Sequence, residues 1–151
     1  MIKDAVGGVI SLMLAFIFLC FMPLYYTGVI QWARSESEAL AATRNLIDEV
    51  IDTRQLLNDT LADYNLTIAG LPDYYTTTIT RQVKIINPDP LNAGQTYTTY
   101  VTVDDNSVYD QGDFIIVEVE PFGMNVFRTM ARGLFGLSIP NDGFTLAGRV
   151  R

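Results

Sequence analysis

Apolar residues are distributed very unevenly along this chain. Ala5–Ile30 reads AVGGVISLMLAFIFLCFMPLYYTGVI and holds no charged residue. As a helix at ~1.5 Å per residue it is roughly 39 Å long, more than a ~30 Å hydrocarbon core requires. A cleavable signal carries a shorter apolar region and ends in small residues, whereas this run closes on Tyr25 and Tyr26, with Trp32 just beyond. It has no polar face, which argues against a buried core helix. Length, position and the aromatic residues at one end predict a membrane-spanning helix over residues 1–32.

Polarity changes at Gln31. Leu40, Ile47, Val50, Ile51 and Leu57 then recur at helical spacing, with Glu36, Arg44, Asp48, Glu49 and Asp52 between them. This predicts an amphipathic helix that packs the face of Leu40, Ile47 and Val50 onto the rest of the domain. Ser35 and Glu38 have capping-box spacing, so either a helix restarts there or one helix runs through. Helical pattern continues through Leu61 and Tyr64 and stops at Gly70 and Pro72, defining a segment 33–70.

Beyond residue 71 the period shortens to two. Tyr75, Thr77, Ile79, Arg81, Val83 and Ile85 form one face of a strand, opposite Thr76, Thr78, Thr80, Gln82 and Lys84. Thr96–Val103 predicts a second strand, with Tyr97, Val101 and Val103 on one face. Phe114–Glu120 predicts a third, with Ile115, Val117 and Val119 inward and Glu118 and Glu120 outward. Phe144, Leu146 and Val150 alternate in a fourth. Short turns between the first three favour antiparallel neighbours. Between Pro121 and Phe135, the residues Phe127, Met130, Ala131 and Leu134 predict a short helix or an irregular apolar loop. Residues 71–151 thus read as a small β-rich domain. The fold class is α+β: a long N-terminal helix, apolar then amphipathic, packed on a small C-terminal antiparallel sheet.

Charge and composition narrow the function. The 151 residues carry 17 acids and 10 bases, a formal net charge of −7, with no block of either sign. Nucleic acid is therefore not an expected partner. There is no His, and no phosphate-binding glycine loop or nucleophile-elbow string, so nothing points to an enzyme or a cofactor. The lone Cys20 sits in the apolar run as a small hydrophobe. Asp104, Asp105, Asn106, Asp110 and Asp113 supply hard oxygen ligands at calcium-like density. Their spacing is not that of an EF-hand, and a turn accounts for them better. Asn58-Asp59-Thr60 and Asn65-Leu66-Thr67 match the glycosylation sequon, and the threonines of the first two strands fit either strand propensity or surface glycans.

Within the apolar run, Gly7, Ser11 and Ala15 make a small-residue stripe on one helix face. In lipid, such stripes let helix backbones approach closely. Gly8, Pro23 and Gly28 each weaken the helix locally and predict a kink or partial unwinding. Asp4, beside Lys3, places a carboxylate at the edge of the apolar core, where it is costly without a partner.

This plan resembles the type IV pilin superfamily, including the small pilin-like proteins of Tad-type machines. The resemblance is carried by the apolar N-terminal helix, its amphipathic continuation from Ala33 to about Leu57, the small sheet, and Pro23 near the middle of the long helix. The family's acidic residue at the fifth mature position falls here on Ala5, with Asp4 the nearest acid. The register of processing thus departs from the usual one: either a leader was removed ahead of Met1, or Met1 is the start. The resemblance implies a filament subunit that waits in the cell membrane and is extracted by an assembly ATPase and platform proteins. It then forms an extracellular homopolymer with its apolar helices at the core, and Asp4 either pairs with Lys3 or the terminal amine of a neighbour or marks the membrane boundary in contact with water or lipid headgroups. Two other readings stay open: a membrane-anchored minor component of a secretion or conjugation apparatus, and a bitopic extracytoplasmic binding or sensor protein.

Overall fold

The computed structural model describes residues 2–92, 94–103, 108–122, 132–133, 136 and 143–151. The elements are α1 (Ile2–Thr53), α2 (Asn58–Ala69), β1 (Tyr75–Pro88), β2 (Thr96–Val103), β3 (Phe114–Pro121) and β4 (Phe144–Arg149). The fold is α+β, with a four-stranded antiparallel sheet of order β2-β1-β3-β4. There are two compact units. The first includes residues 2–34 of α1; the second holds residues 35–122 and 143–151.

In the first unit, α1 runs unbroken through Gly8, Pro23 and Gly28, so the unwinding expected at those positions is absent. Proline removes one ladder bond from a helix that has many on either side. Thr27 Oγ1 donates to the Pro23 carbonyl at 2.9 Å one turn later.

The second unit contains a core built around β3. Ile115, Val117 and Val119 are each 0% exposed, as their alternation predicts, and Glu118 and Glu120 face water. Helix α1 does not restart at Ser35; it passes through it. The helical pattern does break further on, which the sequence reading did not anticipate. Arg54 adopts φ 57°, and α2 begins only at Asn58. Neither Gly nor Pro marks this break. It is held by tertiary contacts: Tyr109 N–H donates to the Arg54 carbonyl at 2.9 Å, and Gln55 bridges to Val108. Helix α2 then folds back along α1, where Thr60 Oγ1 donates to Glu49 Oε1 at 2.6 Å.

The sheet departs from a simple meander. Strand β1 is central, and β2 and β3 lie on opposite sides of it instead of pairing with each other. Pairing is also staggered: β3 takes Tyr75–Gln82 of β1, and β2 takes Arg81–Pro88. The apolar β3 goes to the covered interior, while the threonine-rich β2, with no fully buried residue, takes the edge. Val83–Pro88 and their β2 partners therefore extend past β3 as a two-stranded ribbon. Ile85 and Ile86 are exposed there, although parity placed Ile85 on the inward face of the strand. The ribbon's turn is closed by Asp89, whose carboxylate accepts from Leu91 N–H and Asn92 Nδ2, both at 2.8 Å. The Asn92 amide and the Leu91 N–H hold the Asp89 carboxyl below its ordinary range.

Candidate functional site

Two surfaces carry the residues that the sequence singles out. The first is the apolar part of α1. Among its described side chains, Gly7, Ser11, Ala15 and Pro23 are all exposed, and a Cβ added at Gly7 would meet nothing within 4 Å. Leu12, Met13, Leu14, Phe16, Ile17, Phe18 and Leu19 are exposed on all sides of the helix. This is a helix long and apolar enough to cross a membrane, near the N-terminus, and none of its most apolar window is buried. Cys20 is exposed on it as a free thiol. The side chains of Lys3 and Asp4 lie outside the described residues.

The second surface is the packing face of α1 within the sheet domain. Ile47 and Val50 are buried in it. Leu40 is only half-buried, and the core position next to it belongs to Ala39. The face is Ser35, Ala39, Thr43, Leu46, Ile47 and Val50, and its upper half is small or polar. Those small residues leave room for two tyrosines. Tyr75 donates from its hydroxyl to Ser35 Oγ at 3.3 Å. Thr43 Oγ1 donates to the Ala39 carbonyl at 2.8 Å, so it accepts from the Tyr64 hydroxyl at 3.3 Å. The same Tyr64 oxygen lies 3.2 Å from Thr77 Oγ1 on β1. Two helices and a strand thus share one hydrogen-bonded line, which a search for large apolar residues alone does not find.

Gly148 was not singled out from sequence, yet it sets the distance between β4 and α1. An added Cβ would run into Ile47 Cγ2 and would sit 2.8 Å from Ile51 Cδ1. Only a residue without a side chain allows this approach.

A buried ionic node ties β1 to the segment before β3. Arg81 points inward, as its parity in β1 predicts. Its Nε and Nη2 donate to Asp113 Oδ2 at 2.9 and 2.6 Å, and its guanidinium lies 5.4 Å from the Tyr109 ring centroid. Asp113 Oδ2 also accepts from Asp110 N–H at 3.0 Å, and Oδ1 from Lys84 N–H at 3.2 Å. Burial pushes the Asp113 carboxyl up. The Asp110 N–H, the Arg81 guanidinium and the Lys84 N–H outweigh that and hold it below its ordinary value. Asp113 therefore serves as a counter-ion and strand clamp. Asp104, Asp105 and Asn106 lie outside the described residues, as do Phe127, Met130, Ala131 and Leu134. Of the two sequons, Asn58 and Asn65 are exposed, but Thr60 is buried against Glu49.

An open cleft lined by Asp48, Asp52, Arg54, Lys84, Arg149 and Arg151 flanks the end of α1, with charges of both signs. Among the described residues, no group of three or more Cys, Asp or Glu is arranged to hold a metal ion. Comparison of the chain with family models, with curated proteins and with solved structures gives no match.

Proposed function

We propose that this chain is the structural subunit of a pilus-like extracellular filament of the type IV pilin superfamily, polymerising through its apolar helix. The observation that carries the reading is the exposed apolar surface of α1, where Leu12, Met13, Leu14, Phe16, Ile17, Phe18 and Leu19 are all exposed and none of the most apolar window is buried. An apolar surface of that extent is stable in water only when something covers it. Lipid covers it before assembly, and copies of the same helix cover it afterwards. A head-to-tail contact that does not close into a ring produces an open helical polymer. The stripe of Gly7, Ser11 and Ala15 supports close packing in such a core. Extraction from the membrane by an assembly ATPase and platform proteins follows from the resemblance.

Cryo-electron microscopy of native material sheared from cells tests the reading. Filaments with the apolar helices at their centre are the expected result. Protein that stays with the membranes under shear, and is a detergent-dependent monomer when purified, would sink it in favour of an anchored minor component or a bitopic binding protein.

A further inference from the structure

One cleft in the sheet domain gathers four of the chain's ten Lys and Arg residues, although the formal net charge is −7. Arg54 comes from the turn after α1, Lys84 from β1 and Arg149 from the end of β4, and Arg151 lies two residues further on. Asp48 and Asp52 of α1 line the same cleft, which leaves it a formal excess of two positive charges. Among the described residues, none of the four cations is ion-paired, whereas Arg81 holds both Asp110 and Asp113.

The fold holds these charges in place. Strand β3 pairs with β1 only as far as Gln82, so Lys84 lies past its end, beside the turn that carries Gly112. Gly112 has φ 97°, and a Cβ there would lie 3.1 Å from Lys84 Cδ and 3.9 Å from Arg149 Nη2. The Lys84 stem and the Arg149 guanidinium thus meet over a residue with no side chain. Arg149 also lies 6.0 Å from the Phe114 ring centroid, and Arg54 Nη2 donates to the Arg151 carbonyl at 2.8 Å. Like charges brought together without a counter-ion repel and destabilise the structure that holds them. An anion bound between them removes that cost.

The donors indicate which anion. Guanidinium and ammonium groups offer N–H donors and no acceptor. A phosphate monoester carries about −1.5 to −2 charge at neutral pH and three strong acceptor oxygens, which matches the excess charge of the cleft. A single carboxylate brings one charge and leaves the cleft positive. The open volume of about 1170 Å³ has room for the group to which the phosphate is esterified.

We propose that this cleft binds a phosphate monoester between Lys84 and Arg149, with Arg54 and Arg151 completing the set of cations. The proposal does not rest on the filament reading above.

Isothermal titration calorimetry of the full chain in non-ionic detergent, in low-salt buffer free of phosphate, tests it. The probes are inorganic phosphate, glycerol 3-phosphate and dihexanoyl phosphatidic acid, with succinate as the carboxylate control. Saturable binding of a phosphate, tighter than that of succinate, is the expected result. The tightest of the three probes then identifies the source as the free ion, a soluble ester or a lipid headgroup. Lys84→Gln and Arg149→Gln should each weaken binding about tenfold or more, because each removes a charge-assisted hydrogen bond. Asp52→Asn should tighten it about threefold, since it removes an opposing charge and leaves the cations in place. That gain cannot come from misfolding. Arg44→Gln, at an exposed cation of α1 outside the cleft, should change nothing. The absence of saturable phosphate binding would overturn the proposal, as would succinate binding as tightly as phosphate, which would make this a site for carboxylates. Equal affinity in the wild type, Lys84→Gln and Asp52→Asn proteins would mean an adventitious ion only, and would overturn it too.

Discussion

The Arg81–Asp113 pair is a buried, charge-assisted contact, and such a contact is expensive to break on one side only. Removing one partner of a buried pair strands the other charge, at a typical cost of about 3–5 kcal/mol, whereas replacing both by apolar residues is often neutral. Asp113→Ala is therefore expected to destabilise the domain on that scale. Arg81→Met combined with Asp113→Leu should recover much of the loss, as read from urea midpoints in detergent-solubilised protein. Recovery stays incomplete because Asp113 also holds two backbone N–H groups. The same carboxylate sets an acid limit. Its folded pKa lies below the ordinary 3.8, so its contribution is complete above that value and is lost as pH falls through the folded pKa. Wild-type stability should drop on acidification below about pH 4, and Asp113→Asn should flatten that part of the profile. The inward position of Arg81 was legible from the period-2 pattern. Its partner was not, because Asp113 is 32 residues away and sits among acids that read equally well as a turn. Arg54 is a second residue whose role only the fold reveals. A left-handed conformation costs an L-residue roughly 1–2 kcal/mol, and a β-branched one more. Arg54→Gly should leave the thermal midpoint unchanged or raise it, and Arg54→Val should lower it.

At the scale of elements, the helices supply most of the buried cover of the sheet's inward residues among the described residues, with Leu71, Tyr109 and Val150 completing it. Ile115, Val117 and Val119 meet a face of α1 made from Ser35, Ala39, Thr43, Leu46, Ile47 and Val50, and α2 closes the side through Tyr64 and Ile68. A chain beginning at Pro72 lacks all of these, and domains this small depend on each covering element. Such a fragment is expected to show no cooperative unfolding transition, and one as stable as the full chain would refute the dependence. Gly148→Ala tests the close approach of β4 to α1 more finely. Overpacking a tight core site costs typically about 1–3 kcal/mol, and the added methyl meets Ile47 and Ile51 together. Sequence periodicity resolved these elements unequally. Strand β3 alternates cleanly because one of its faces is wholly buried and the other is wet. The pattern in α1 pointed to Leu40 because apolar periodicity counts large side chains, whereas the contact there is built from small helix residues beneath two tyrosines. The placement of β1 at the centre was not legible either. Turn length indicates which strands are close in sequence, but burial decides which of them takes the middle of the sheet.

For the whole molecule, the decisive question is what covers the apolar helix, and the small stripe allows it to be asked in one substitution. Gly7, Ser11 and Ala15 lie four residues apart, and all three are exposed. In a bilayer the position of Ser11 tolerates Leu readily, since lipid accommodates the larger apolar side chain at no cost. In a core of packed helices the same change pushes backbones apart, because small residues are what permit close approach. Insertion and assembly therefore respond in opposite ways to Ser11→Leu. If the clash costs even about 1.4 kcal/mol per subunit, the concentration needed for polymerisation rises about tenfold. Met13→Leu, which conserves volume on the same helix away from the stripe, serves as the control. Membrane fractions from cells expressing Ser11→Leu should contain the subunit at wild-type levels, while the sheared surface fraction should be depleted. The Met13→Leu protein should partition as wild type. Equal filament yield from all three proteins would show that the stripe does not set the packing. Loss of Ser11→Leu from the membrane fraction would instead place the defect before assembly, in insertion or turnover of the free subunit.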